Sequence, residues 1–187
     1  TNSNDSTIKS VIDEWYSQNL TSYTTQLEDT VWCNDRSYYS GDGFSDSLTT
    51  IYSPYYRVLN QRTASLVCSQ NMDKFTVSSA VGNGKLTYPI GLITADEAVL
   101  AGGTYRDANN DYYLNTGQVY WLMSPFDFVS ISKKARVWRL LEGGFLNATS
   151  PTTLHGVRPA ISLKAGTTAI SGDGTASNPY VLSLIHI

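Results

Sequence analysis

The most regular apolar spacing lies near the start of the chain. In "STIKSVIDEWYSQNL", Ile8, Val11, Ile12, Trp15 and Tyr16 recur at intervals of three and four, which predicts an amphipathic helix. Ser6 or Thr7 is placed to cap its start, and Asn19 near its end tolerates the left-handed conformation. "TVWC" reads as a short strand rich in β-formers. From Asn34 to about Val67 no period is sustained. "YYSGDGFSDS" is Gly, Asp and Ser punctuation, so this stretch is expected to be a long irregular excursion with short strands at most. "KFTVSS" reads as a brief strand and "VGNGK" as a turn through Asn83-Gly84.

The second half is more regular. Lys85 to Ile93 predicts a strand, at an edge or a bulge because of Pro89. Thr94-Ala95-Asp96-Glu97 is a capping box: the Thr94 hydroxyl can accept the Glu97 N–H while the Glu97 carboxylate reaches back. The short helix that follows stops at Gly102-Gly103. "VYWLMSP", "ARVWRLL", "FLNATS", "HGVRPAISLK" and "YVL" then predict strands, separated by turn-rich loops. Early helix, long loop region, mid-chain helix and a run of strands, with no βαβ alternation, define an α+β fold on a mainly antiparallel sheet. A chain of 187 residues is expected to form one domain, here 1–181.

Composition sharpens this picture. Charged residues make up 16%, below the globular average of about 25%. Polarity comes instead from Ser, Thr, Asn and Gly, beside 13 Tyr, a mixture that fits an extracellular β-rich protein. The net charge of −3 and the scattered basic residues argue against nucleic acid. Lys133, Lys134, Arg136 and Arg139 read as a solvated strand edge. Cys33 and Cys68 are the only cysteines, too far apart for a CxxC redox site. In an exported protein they would form one disulfide, in a cytosolic one two buried thiols; the composition favours the disulfide.

Several blocks, in order, resemble one family: "STIKSVIDEWYSQNL", "LEDTVWCNDRS", "DKFTVS", "GKLTYPIGLITADEAVLAGG", "TGQVYWLMSP", "HGVRPAISLK" and "GDGTASNPYV". It is a domain family of unknown function in surface proteins of low-GC Gram-positive bacteria, similar to the C-type-lectin-like fold of formylglycine-generating enzymes. The resemblance covers about Ser6 to Val181. It implies a C-type-lectin-like domain, export to the cell surface and a Cys33–Cys68 disulfide. It also implies that Trp121 to Pro125 and Gly156 to Leu163 form a central sheet, and that Asp127 to Leu154 decorates a ligand-presenting surface. Fold alone does not fix function.

Candidate chemistry is sparse. Formylglycine-generating relatives use a late pair of cysteines, and no Cys follows Cys68. The histidines are His155 and His186; His155 before Gly156 reads as a loop or strand-edge residue. "DANND" offers Asp107, Asn109 and Asp111 at alternate positions of a calcium loop. Tyr112 and Gln118 stand where that loop needs Gly and Glu, so an Asx-turn loop is the default and a looser surface Ca²⁺ site the alternative. The Glu-Pro-Asn and Gln-Pro-Asp motifs of Ca²⁺-dependent lectins do not occur. "GVRPAISL", with Arg158, reads as structural. The best binding candidate is Arg136, Trp138, Arg139, Phe145, Asn147 and His155, because Trp and Arg dominate binding hot spots. Trp138 either covers the outer face of its strand or, with the phase reversed, belongs to the core.

The expected function is a non-enzymatic surface module, without cofactor, that binds a protein or glycan. A structural pseudopilin-like or wall-surface subunit is the alternative, and an enzyme with a loop-borne site a remoter one. The closing "LSLIHI" is far short of the roughly 20 apolar residues that cross a membrane. It matches the translation of the end sequence of a transposase adapter used in sequencing libraries. Leu182 to Ile187 is therefore expected to be non-native and without specific contribution, and His186 is set aside. With Thr1 in place of Met, the chain reads as a reading frame clipped at both ends. Membrane attachment is expected only through a segment before Thr1.

Overall fold

The computed structural model describes residues 4–175 and 177–183. Helix α1 (Thr7–Asn19) starts where the Ser6 hydroxyl accepts the Lys9 N–H, and it buries Ile12 and Tyr16. A 3₁₀ turn (Thr21–Gln26) leads to β1 (Trp32–Cys33). Strands β2 (Tyr38–Ser40) and β3 (Thr50–Tyr52) follow, then a helical segment formed by α2 (Ser53–Tyr56) and a wider π turn (Arg57–Gln61). Next come β4 (Lys74–Phe75), β5 (Ile90–Gly91), α3 (Ala95–Leu100) and β6 (Thr104–Tyr105). Three longer strands complete the centre: β7 (Tyr120–Val129), β8 (Lys134–Leu140) and β9 (Phe145–Thr149). The described chain closes with β10 (Ala160–Ile161), β11 (Ala169–Ser171) and β12 (Val181–Leu182).

The main sheet has the order β2-β3-β7-β8-β9-β6, antiparallel except for the β6–β9 pair. The fold is α+β, with few helices around a curled, mainly antiparallel sheet. Period-2 alternation gives the sheet two buried faces. Tyr120, Leu122, Trp138, Leu140 and Leu146 pack on one side with Ala95 and Ala98 of α3 and with Val58. Trp121, with Met123 and Val137, packs on the other side with Ile12 and Tyr16 of α1 and with Leu27, Ile90 and Leu92. At Gly91 the Trp32 ring lies so close that a Cβ there would stand 2.6 Å from it, which explains glycine at that position.

The Thr94 capping box forms in full, and Gly102 ends α3 at φ 104°. Cys33 and Cys68 form a disulfide. Two expected strands shrink: Lys85 to Ile93 reduces to β5 and "HGVRPAISLK" to β10, because Pro89 and Pro159 cannot donate to a ladder. The stretch "SPYYRVLNQ" is helical, with Pro54 in its first turn, where a missing N–H costs nothing. Residues Asp127 to Leu154 do not chiefly decorate a surface. They supply the end of β7, all of β8 and all of β9, the middle of the sheet, and only the turns between them project. At the C-terminal end Leu182 pairs with Ala169, and the Ser183 N–H donates to the Thr168 carbonyl at 2.7 Å. These are backbone bonds that any sequence makes; His186 and the rest of 184–187 lie outside the described residues. No described helix is long and apolar enough to cross a membrane.

Candidate functional site

The six residues expected to bind do not form one site, because strand alternation divides them. Trp138 is fully buried, with its ring edge-on to Phe126 at 4.7 Å and to Tyr105 at 5.6 Å. It is a core residue: the alternation of Arg136, Trp138 and Leu140 places it on the α3 side of the sheet. Arg136 shares that side. Its guanidinium makes a fork-to-fork ion pair with buried Asp127 and lies 4.8 Å from the centre of the Phe126 ring. This pair holds the Arg136 charge above the ordinary arginine range against the opposing pull of burial.

Arg139 and Asn147 lie on the opposite face, as does Phe145, which is half-buried. Arg139 pairs across the sheet with Trp121 on β7 and Asn147 on β9. His155 comes from the following loop. Its ring packs on Trp121 with centroids 4.8 Å apart, and its Nε2 accepts a hydrogen bond from Arg139 Nη1 at 2.8 Å. Burial, then the Arg139 charge, push His155 below the ordinary histidine range. Thus Arg139, Asn147 and His155 are brought together, while Arg136 and Trp138 are separated from them by the sheet.

The "DANND" loop is organised by its backbone. Thr104 Oγ1 donates to the Asp107 carbonyl at 2.6 Å, the Asn109 N–H to the Gly143 carbonyl at 2.9 Å, and the Tyr112 N–H to the Asn109 carbonyl at 3.1 Å. Among the described residues, no three His, Cys, Asp or Glu side chains converge where a metal could sit.

A pocket of about 260 Å3 opens beside the disulfide, lined in part by Trp32, Asp35, Arg57, Ser65, Asp96 and Glu97. Arg57 is clamped between two buried aspartates. Its Nε and Nη2 donate to Asp96 at 2.8 and 2.7 Å, and Nη2 also meets Asp35 at 2.9 Å. Burial opposes the Arg57 charge, but bonding to Asp96 and Asp35 outweighs it and holds the group above the ordinary arginine range. Each charged group here already serves the fold. Asp96 also accepts the Ser65 N–H, Asp35 the Ser37 N–H and hydroxyl, and Glu97 the Thr94 N–H. The lining serines are engaged too: Ser124 Oγ accepts from the Ala95 N–H and Ser65 Oγ from the Val67 N–H.

A more open surface lies at the β2 edge. Tyr38 and Tyr39 are half exposed, Phe44 is 75% exposed, Leu48 52% and Ile131 95%. They come from three segments that the fold ties together. Buried Thr50 fixes the turn after β2: its Oγ1 accepts the Gly43 N–H at 2.8 Å and donates to the Gly43 carbonyl at 2.7 Å. Phe44 packs edge-on to Phe128 at 5.0 Å, and Tyr38 edge-on to Tyr52 at 5.7 Å. Tyr39 stacks on Tyr56 with ring centres 3.5 Å apart. Asp46 bridges to Lys133 at 3.1 Å, and the Ser130 N–H donates to Thr49 Oγ1 at 3.2 Å, which fastens the β7–β8 turn carrying Ile131 to the same end. Sequence reasoning passed over this surface because "YYSGDGFSDS" carries loop punctuation. The signal was there in three aromatic rings within one Gly-rich stretch.

The chain matches no protein-family model, no curated protein and no solved structure at a significant level.

Proposed function

We propose that this domain is a non-enzymatic extracellular binding module with a C-type-lectin-like fold, displayed on a Gram-positive cell surface, and that it takes a protein partner at the β2 edge. The observation that carries the reading is the aromatic end: Tyr38, Tyr39, Phe44, Leu48 and Ile131 are large and exposed, on segments tied down by the buried Thr50–Gly43 bond and the exposed Lys133–Asp46 bridge. Large exposed apolar patches on monomers mark interaction sites. Tyrosine rings that are already stacked lose little freedom on binding, so they make efficient anchors. Aliphatic Leu48 and Ile131 beside them suit a protein surface better than a sugar. Among the described residues no strand pairs with the outer side of β2, which offers backbone groups for a partner strand.

The disulfide and the Ser/Thr/Tyr-rich composition support export. The helix-flanked, curled antiparallel sheet supports the C-type-lectin-like assignment, which otherwise rests on the sequence blocks. The open β2 edge also fits a structural subunit, with a second copy as partner. Sedimentation of the purified domain separates these: concentration-dependent dimers that Phe44→Ser abolishes would favour assembly. A monomer that binds a foreign surface protein through the same residues would favour recognition.

A further inference from the structure

The partly buried arginines of this fold follow a pattern from which one departs, whereas Arg62, Arg106 and Arg158 are exposed. Arg36 pairs with Asp73, Arg57 with Asp35 and Asp96, and Arg136 with Asp127, all of them buried carboxylates. Arg139 is half-buried on the central strand and has no carboxylate partner among the described residues. Among the described residues its Nε is buried without a hydrogen bond, and its side chain bonds to the neutral ring of His155. A partly desolvated cation without a counter-charge is costly. Beside it Asn147 turns its Oδ1 to the Ala148 N–H at 2.7 Å, which leaves the amide Nδ2 donors without a partner among the described residues.

We propose that Arg139, Asn147 and His155 form a binding site for a carboxylate anion. The Arg139 fork supplies the charge and the planar geometry that a carboxylate matches. Asn147, directly opposite on β9, supplies an amide donor. His155 makes the site pH-dependent. In the empty site its Nε2 must accept from Arg139, so the ring is neutral with its proton on Nδ1. Protonation breaks that bond, frees Arg139 Nη1 and adds a second cation. An anion resolves the repulsion.

Among the described residues, the surrounding elements bring His155 no compensating acid. Strand β7 presents Trp121, β8 presents Arg139, and β9 presents Asn147 and Phe145. Arg139 is the charge that acts on it. Arg158 turns away to the Leu114 carbonyl and the Tyr120 ring, and Glu142 is exposed in the β8–β9 turn. The site lies roughly 20 Å along β7 from the aromatic end and does not depend on the reading given to that surface.

The test is a titration of the whole domain with sodium acetate at constant ionic strength, against sodium chloride, followed by the His155 ring signals in NMR. Acetate is expected to bind about fivefold or more tightly at about pH 5.5 than at about pH 8, and to raise the measured His155 pKa. Arg139→Gln is expected to abolish both effects. Should that variant fail to fold, His155→Gln decides: binding should persist at the weaker level and lose its pH dependence. Equal responses to acetate and chloride would overturn the site. So would acetate binding that survives Arg139→Gln, or pH dependence that survives His155→Gln. Glucuronate and N-acetylaspartate, run in parallel, separate a sugar acid from an amino-acid side chain as the natural carboxylate.

Discussion

Cys33 and Cys68 are joined with their Cα atoms 5.7 Å apart, closing a loop across 35 residues of sequence. That loop contains the open β2 edge, Phe44 and Leu48, and also Arg57. One covalent bond thus restrains both the aromatic end and the pocket beside it. In the chain-entropy picture, closing a loop of this length stabilises by about 4 kcal/mol. The double variant Cys33→Ser/Cys68→Ser is expected to lose most of that in urea unfolding. Limited proteolysis should then cut first between the disulfide positions. An unchanged urea midpoint would show that the loop is held without the bond.

The Arg57 clamp makes a different prediction. Arg57→Met keeps the volume but leaves Asp35 and Asp96 buried without their cation. Removing one partner of a buried pair costs about 3–5 kcal/mol. Because the orphaned carboxylates must then take up protons to stay buried, the variant should recover part of its stability as pH falls. Urea midpoints of both proteins across the acid range would check the crossing trends.

Trp138→Ala removes the largest fully buried side chain and is expected to cost about 3–5 kcal/mol. Its effect on partner binding should follow unfolding alone. Trp138→Phe, which refills much of the space, should restore binding fully. A Phe variant that is stable but does not bind would return Trp138 to the site.

His155 gives a pH signature in chloride buffer. Its folded-state pKa is depressed, by burial first and by Arg139 second. The unfolded chain therefore binds the proton more readily, and stability rises with pH across that interval. The contribution is complete above the ordinary histidine range and is lost as pH falls through the lower folded value. The ring is largely solvent-screened, so the change is expected to be small. His155→Gln should flatten that part of the stability profile, and a slope that persists in the variant would assign it to other groups.

Where local rules act, the sequence was readable. The Ile8 to Tyr16 stripe, the Thr94–Glu97 box and the apolar alternation of β7 to β9 each fix their element within a few residues. The phase of a central strand is different. Both faces of β8 are covered, so alternation alone could not say which side Trp138 takes. The clamp on Arg57 was invisible for another reason: Asp96 is 39 residues away and had already been explained as part of a helix start. Carboxylate partners chosen by tertiary packing leave no spacing in the chain. The aromatic end was hidden because Gly41, Asp42 and Gly43 look like loop chemistry. They are loop chemistry, and they also aim Phe44 outward.

The central claim is that the β2 edge is the binding surface. Hydrogen exchange of the domain, alone and with a surface-protein partner found by array screening, tests it most directly, with Phe44→Ser/Ile131→Asp as the control. Both substitutions are at exposed positions and should shift stability by about 0.5 kcal/mol or less. The account predicts that the partner slows exchange at Tyr38, Tyr39 and Ser40, and that the double variant binds at least about tenfold more weakly. A footprint confined to other strands, or undiminished binding by the double variant, would contradict it.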